Sequence, residues 1–186
     1  MHILAIGDSL FAGYGLRPEQ AYPVRLEAAL RAKGINATVV NASVSGDTTA
    51  DGLARLDFTL SSQSAKPDLT LICLGGNDML RGLSPQATRQ NLDAMLADLD
   101  KHHIPAMLMG MLAAPNLGKP YAQAFDTAYP TLAKKRHAAL EPFFLGAVID
   151  HPELRQADHI HPTQAGVEAI VQATEGNVIT TLSHLH

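Results

Sequence analysis

A chain of 186 residues suits one domain, residues 1–186, and 46% hydrophobic with 17% charged residues excludes a disordered composition. The net charge is −4 and the fourteen Lys and Arg are scattered, which excludes the basic footprint of a nucleic-acid binder; a lone Cys73 excludes an internal disulfide. The longest apolar stretch, Ala106 to Ala114, falls far short of the roughly 20 residues that cross a bilayer, so no stable membrane anchor is expected.

In chain order, His2 to Ile6 reads as a buried strand ending at Gly7. Its apolar run is too short for a signal-peptide core. The chain as given therefore reads as cytoplasmic, and as periplasmic or secreted if a leader preceded it. Tyr22, Leu26, Ala29, Leu30 and Lys33 follow helical spacing, with Gly34 as the stop. Ala37 to Asn41 is the second strand. Thr48 or Thr49 caps a helix whose inner face carries Leu53, Leu56 and Leu60. Leu69 to Leu74 is the third strand, apolar enough to be covered on both faces.

Ser84-Pro85 predicts an N-cap with proline at the first helical position, and Leu92, Met95, Leu96 and Leu99 give that helix its apolar stripe. Ala106 to Met111 is the fourth strand. A loop with Pro115, Gly118 and Pro120 leads to a helix marked by Phe125, Tyr129, Leu132 and Ala133. A short fifth strand is predicted over Pro142 to Leu145. Pro162 is expected to start the last helix, with Val167, Ile170, Val171, Thr174, Val178, Leu182 and Leu185 on its face and an interruption at Gly176-Asn177. Alternating strands and helices with apolar strands predict a parallel α/β sheet covered on both faces. Sites in such sheets lie beyond the carboxyl ends of the strands.

Four segments there carry chemistry. Gly7-Asp8-Ser9-Leu10 follows strand one and can expose a serine hydroxyl on a tight turn. Gly46, after strand two, allows close backbone approach and offers its N–H to an oxyanion. Gly75-Gly76-Asn77-Asp78, after strand three, can present the Asn77 amide into a cleft. Asp158-His159-Ile160-His161-Pro162 places an acid three residues before a histidine, a spacing at which the carboxylate can hold the imidazole tautomer. Each segment alone is ordinary turn chemistry. Together they supply a nucleophile, a base with its orienting acid, and separate oxyanion donors.

This set resembles the SGNH hydrolases, the GDSL esterase/lipase family, in block order and spacing over almost the whole chain. Asn41 to Thr48, the run Leu74 to Gly82 and the segment Tyr121 to Lys134 are similar to its bacterial thioesterase, arylesterase and lysophospholipase branch. The resemblance implies a three-layer, flavodoxin-like fold with strand order 2-1-3-4-5. It implies Ser9 as nucleophile, His161 as base and Asp158 as its acid. The oxyanion hole would be the Ser9 and Gly46 N–H groups with the Asn77 side chain, and no metal or cofactor is needed. A small-molecule acyl ester is the expected partner. Leu10, Met79, Leu80, Leu83 and the loop Leu112 to Gly118 would line an acyl groove, in a branch where one such loop is mobile.

Two other readings stand beside this one. An acetyl or carbohydrate esterase would use the same chemistry, but this chain has no Trp and only 5% aromatic residues for sugar stacking. A non-catalytic flavodoxin-like module would cradle a phosphate in its Gly-rich loops, but the first turn lacks the G-x-G-x-x-G and G-x-x-x-x-G-K-[ST] spacings. Asp150-His151 competes with Asp158 and His161 as the acid-base pair, while Asp8 and Asp78 read as structural and His159 as facing away. Cys73 and Met95, Met107, Met109 and Met111 read as core, and Lys134 to His137 as a basic helix end. Nine histidines suggest a metal site at first, but no H-E-x-x-H occurs. His102, His103, His184 and His186 have only bland roles, and His161 is left as the one base. The acid limb of kcat/KM is then expected to report one ionisation near the ordinary histidine value of about 6.5.

Overall fold

The computed structural model describes residues 1–185, leaving the tail residue His186 outside. In chain order its elements are β1 (His2–Gly7), α1 (Ser9–Ala12), α2 (Tyr22–Ala32), β2 (Thr38–Asn41), α3 (Thr49–Ala54), α4 (Leu56–Ser61), β3 (Leu69–Cys73), α5 (Gly76–Leu80) and α6 (Pro85–Lys101). These are followed by β4 (Ala106–Met109), α7 (Lys119–Asp126), α8 (Ala128–Arg136), β5 (Ala139–Glu141) and α9 (Gln164–Ser183). The strands form one parallel sheet in the order β2-β1-β3-β4-β5, as the resemblance implied. On one side α2 packs against α9, and on the other α6 packs against α3 and α8, so helices cover both faces.

The central strands explain the arrangement. Every residue of β3 is buried, and so are Ile3 to Gly7 of β1. A strand enclosed on both faces gains from apolar side chains at every position, about 1.5–3 kcal/mol for each large one fully buried. Met95, Met107, Met109, Met111 and Cys73 are all in this core, and burial pushes the Cys73 thiol up. No helix is long and apolar enough to cross a membrane among the described residues.

Several boundaries differ from expectation. The helix expected from Thr48 is two, capped by the Thr48 hydroxyl on the Asp51 N–H and broken at Arg55. Ser84 stands at the start of α6, but its side chain makes no capping bond and Pro85 alone marks the start. The helix carrying Phe125 and Tyr129 begins earlier, at Lys119, and breaks at Thr127. Pro162 lies outside α9, which starts under a Thr163 cap and runs through Gly176-Asn177 without interruption. There the Asn177 amide donates to the Leu140 carbonyl of β5 at 2.9 Å, tying helix to sheet edge.

The fifth strand is Ala139–Glu141, not Pro142 to Leu145. Pro142 has no N–H to donate to a ladder, so pairing ends before it. β4 likewise stops at Met109. Gly110 donates to the Glu141 carbonyl at 2.7 Å and accepts from the Phe144 N–H at 2.9 Å, which folds residues 142–149 over the carboxyl end of the sheet.

The abundance of histidine has a local meaning. His103, His137 and His159 have left-handed backbones, with φ of 52°, 52° and 60°. His103 and His137 sit just past the ends of α6 and α8, where such a residue stops a helix; histidine tolerates this region better than most side chains.

Candidate active site

The chain leaves β1 for β2 on one side, and β3 pairs with β1 on the other. This reversal opens a crevice at the carboxyl end of β1. Ser9 enters it directly after β1, Gly46 from the β2 side and Asn77 from the β3 side. Gly75 makes the last turn workable. Its φ is 114°, and any Cβ there would overlap the hydroxyl of Tyr129, which donates to the Leu74 carbonyl at 2.9 Å.

Ser9 and His161 lie 152 positions apart in sequence, yet Ser9 Oγ is 2.8 Å from His161 Nε2. His161 Nδ1 is 2.6 Å from Asp158 Oδ2. Asp158 Oδ1 accepts the backbone N–H of Ile160 at 2.9 Å and of His161 at 3.0 Å, so the carboxylate is fixed by the turn that carries its partner. The hydrogen bond from His161, with these backbone N–H groups, holds the Asp158 pKa down at about 2. The acid therefore stays ionised at any pH where the imidazole works.

Neither the Ser9 N–H nor the Gly46 N–H has an acceptor among the described residues, and both residues line one cavity. Gly46 has φ 91°, and the Arg81 guanidinium donates to its carbonyl at 2.7 Å, which braces the turn from outside. Arg55 braces the same turn. Its Nε contacts Asp47 Oδ2 at 2.6 Å and its Nη1 donates to the Ala42 carbonyl at 2.6 Å.

Asn77 Nδ2 donates to the Asp47 carbonyl at 2.9 Å and to Asp8 Oδ2 at 3.3 Å. The Asn77 segment is anchored by the buried Asp78, which accepts from the Thr49 N–H and the Thr88 hydroxyl. Asp8 is also buried and accepts the Leu10 N–H at 3.0 Å. Burial raises its pKa to about 6, against the lowering effect of that hydrogen bond. Both aspartates thus act on local structure, as the sequence suggested.

A cavity of about 750 Å³ opens from Ser9. Leu10, Met79, Leu80 and Leu112 all line it, with Leu10 buried and Leu80 and Leu112 exposed at the rim. The expected loop lines it only from Leu112 to Pro115, because Pro115–Leu117 turns as a short 3-10 helix towards α7. Leu83 does not line it and instead accepts from the Tyr121 hydroxyl. The Ala114 N–H meets the Met79 sulfur at 3.1 Å, which closes the loop against Met79.

Sequence reasoning missed the opposite wall. Phe143, Leu145, Val148 and Ile149 form it, on the turn that follows β5. Tyr14 was missed as well. Its ring lies 4.4 Å from the His161 imidazole, and its carbonyl accepts the Gln156 amide at 2.7 Å. Its signal was the pair Gly13 and Gly15, both at positive φ, which make the turn that presents it. His159, expected to face away, contributes to the cavity wall. Asp150 is exposed and the His151 ring pairs with Glu153, so the competing pair stands outside the site. Among the described residues, no three His, Cys, Asp or Glu converge to hold a metal ion.

Comparison with known proteins identifies the family. The GDSL-like lipase/acylhydrolase family model matches residues 5–169. An arylesterase of Vibrio mimicus is 42% identical over 160 residues, 86% of this chain and 79% of that protein. Esterase TesA of Pseudomonas aeruginosa is 40% identical over 183 residues, 98% of this chain and 88% of that one. The crystal structure of AlinE4, an SGNH-hydrolase family esterase, superposes with a TM-score of 0.83 at 57% identity, covering 97% of this chain and 95% of that one. The chain belongs to the GDSL-like lipase/acylhydrolase family and is a serine hydrolase.

Proposed function

We propose that residues 1–186 form one hydrolase domain that cleaves carboxylic esters through an acyl-enzyme on Ser9. The hydrogen-bonded series Ser9–His161–Asp158 at the mouth of an apolar cavity supports this reading most strongly. Ser9 Oγ attacks the ester carbonyl carbon while His161 Nε2 takes its proton. The carbonyl oxygen becomes an oxyanion, met by the Ser9 and Gly46 N–H groups and Asn77 Nδ2. Collapse breaks the bond to the leaving alcohol, which receives the proton from His161. Water then attacks the acyl-Ser9 carbonyl, again losing a proton to His161, and the acid departs as Ser9 Oγ is reprotonated. The Tyr14 ring packs against the His161 imidazole, with 4.4 Å between ring centres, and supports its orientation.

The aliphatic wall suits an unbranched acyl chain or an aryl group. A site for acetylated sugar would need stacking rings and polar donors in the places held by Met79, Leu80, Leu112 and Val148. The relatives named arylesterase and esterase support aryl and alkyl esters as substrates. Acyl thioesters and lysophospholipids present the same carbonyl to the same groups. A panel of p-nitrophenyl esters of rising acyl length, an acyl-CoA and a lysophospholipid tests the reading. Ester turnover is expected, with the preferred length set by the cavity; no turnover of any member would sink the proposal. Met79→Ala and Leu112→Ala should each broaden the profile towards longer acyl groups. A profile unmoved by both would remove these side chains as selectors.

Asp8 alters the expected pH dependence. Its carboxylate accepts from Asn77 when ionised, above about pH 6, and becomes protonated below that. Protonation removes the charge that competes with the oxyanion for the Asn77 amide, so the ratio of wild-type to Asp8→Asn kcat should rise as the pH falls through about 6. A ratio that stays constant through that range would detach Asp8 from catalysis.

A further inference from the structure

Arg155 is the one cationic side chain that lines the Ser9 cavity among the described residues. It is half-buried, on the segment between β5 and α9 that also carries Asp158 and His161. Its Nη1 donates to the His159 carbonyl at 2.9 Å, which holds the guanidinium beside the His161 segment. An antiparallel bridge between Arg155 and Pro162 fixes its backbone to the same turn. Its Nε is shielded from solvent and has no hydrogen-bond partner among the described residues.

The acids nearby are committed elsewhere. Asp158 is held by His161 and by two backbone N–H groups. Glu153 pairs with the His151 ring. Neither forms an ion pair with Arg155. With Nη1 engaged by His159 and Nε shielded by the protein, Nη2 is the donor left for an anionic ligand.

Its side of the cavity follows from the reaction. His161 must pass its proton to the departing atom, so the leaving group lies on the His161 side of the ester carbon. Met79, Leu80 and Leu112 come from the turns after β3 and β4, whereas Arg155 comes from the turn that bears His161. We propose that Arg155 forms an anion subsite for the leaving group, so that this hydrolase favours esters whose alcohol portion carries a carboxylate or phosphate. The proposal rests on the ester-hydrolase reading above and adds a determinant of its substrate class.

The test compares butyryl esters of one phenol that bears, para to the ester, a methyl-capped carboxylate, a free carboxylate or a phosphate. The readout is the kcat/KM of each anionic ester divided by that of the neutral capped ester, in wild type, Arg155→Met and Arg155→Lys. Intrinsic leaving-group reactivity cancels when these ratios are compared between proteins. A charge-assisted hydrogen bond predicts that Arg155→Met lowers the anionic-to-neutral ratio about tenfold or more. The loss should appear mainly in KM and fade at high salt. Arg155→Lys should recover only part of the ratio, because a single ammonium nitrogen cannot occupy both the place of Nη1 at the His159 carbonyl and that of Nη2. A larger effect on one anion identifies whether carboxylate or phosphate is the natural fit.

A merely structural strap on the His159 carbonyl would lower all three esters together and leave the ratio intact. That result, or a ratio unchanged in both variants, overturns the subsite. Wild-type turnover of the neutral ester with no effect of Arg155 on the ratio would leave the hydrolase reading standing and remove only this proposal. Absence of wild-type turnover of all three would remove both.

Discussion

Ser9→Ala is expected to lower kcat on p-nitrophenyl butyrate by about 10⁴-fold or more, because in the proposed mechanism it removes the atom that carries the acyl group. The Ser9 side chain is small and sits on the four-residue α1, so the fold should persist. Its N–H remains in the variant, and the Gly46 N–H and the Asn77 amide remain with it. Residual rate above the uncatalysed reaction is therefore expected. Circular dichroism and unfolding midpoints should match wild type. A folded Ser9→Ala protein with wild-type turnover would end the acyl-enzyme account.

Asn77→Ala is expected to lower kcat about a hundredfold, with little change in KM. This asymmetry follows from what the amide does before the reaction. Asn77 Nδ2 is already held by the Asp47 carbonyl at 2.9 Å and, more loosely, by Asp8 at 3.3 Å. The longer bond is the one to be exchanged for the oxyanion as charge develops. Substrate binding gains nothing from it, while the transition state does. Asn77→Asp should be worse than Asn77→Ala, since it sets a second carboxylate beside Asp8 and next to the developing charge. Loss confined to KM in either variant would place Asn77 outside the oxyanion hole.

Of the proposed site residues, Ser9, Gly46 and Asn77 were found in the sequence because each follows a strand at its carboxyl end. Asp158 and His161 lie further on, in the long segment between β5 and α9, and were found by their own spacing. Strand order needed the resemblance, since apolar runs such as Leu69 to Leu74 reveal burial but not neighbours. The walls of the cavity were less legible, and β5 shows why. Reading it over Pro142 to Leu145 placed Phe143 and Leu145 inside the sheet. Moving the strand to Ala139–Glu141 turns those residues into the loop beyond its carboxyl end, which is where a site wall belongs. The weakly apolar Ala-Leu-Glu of an edge strand carries little periodic signal. Tyr14 and Arg155 escaped for a different reason. The glycines beside Tyr14 mark a turn but not the histidine its ring meets, and the bond from Arg155 to the His159 carbonyl has no signature in spacing.

The acyl-enzyme on Ser9 is tested most directly by incubating the wild-type protein with a fluorophosphonate and mapping the adduct by peptide mass. The account predicts one phosphonyl group per chain, on Ser9 Oγ, with ester hydrolysis lost in proportion to labelling. An adduct on another residue, or undiminished hydrolysis by fully labelled protein, would contradict it.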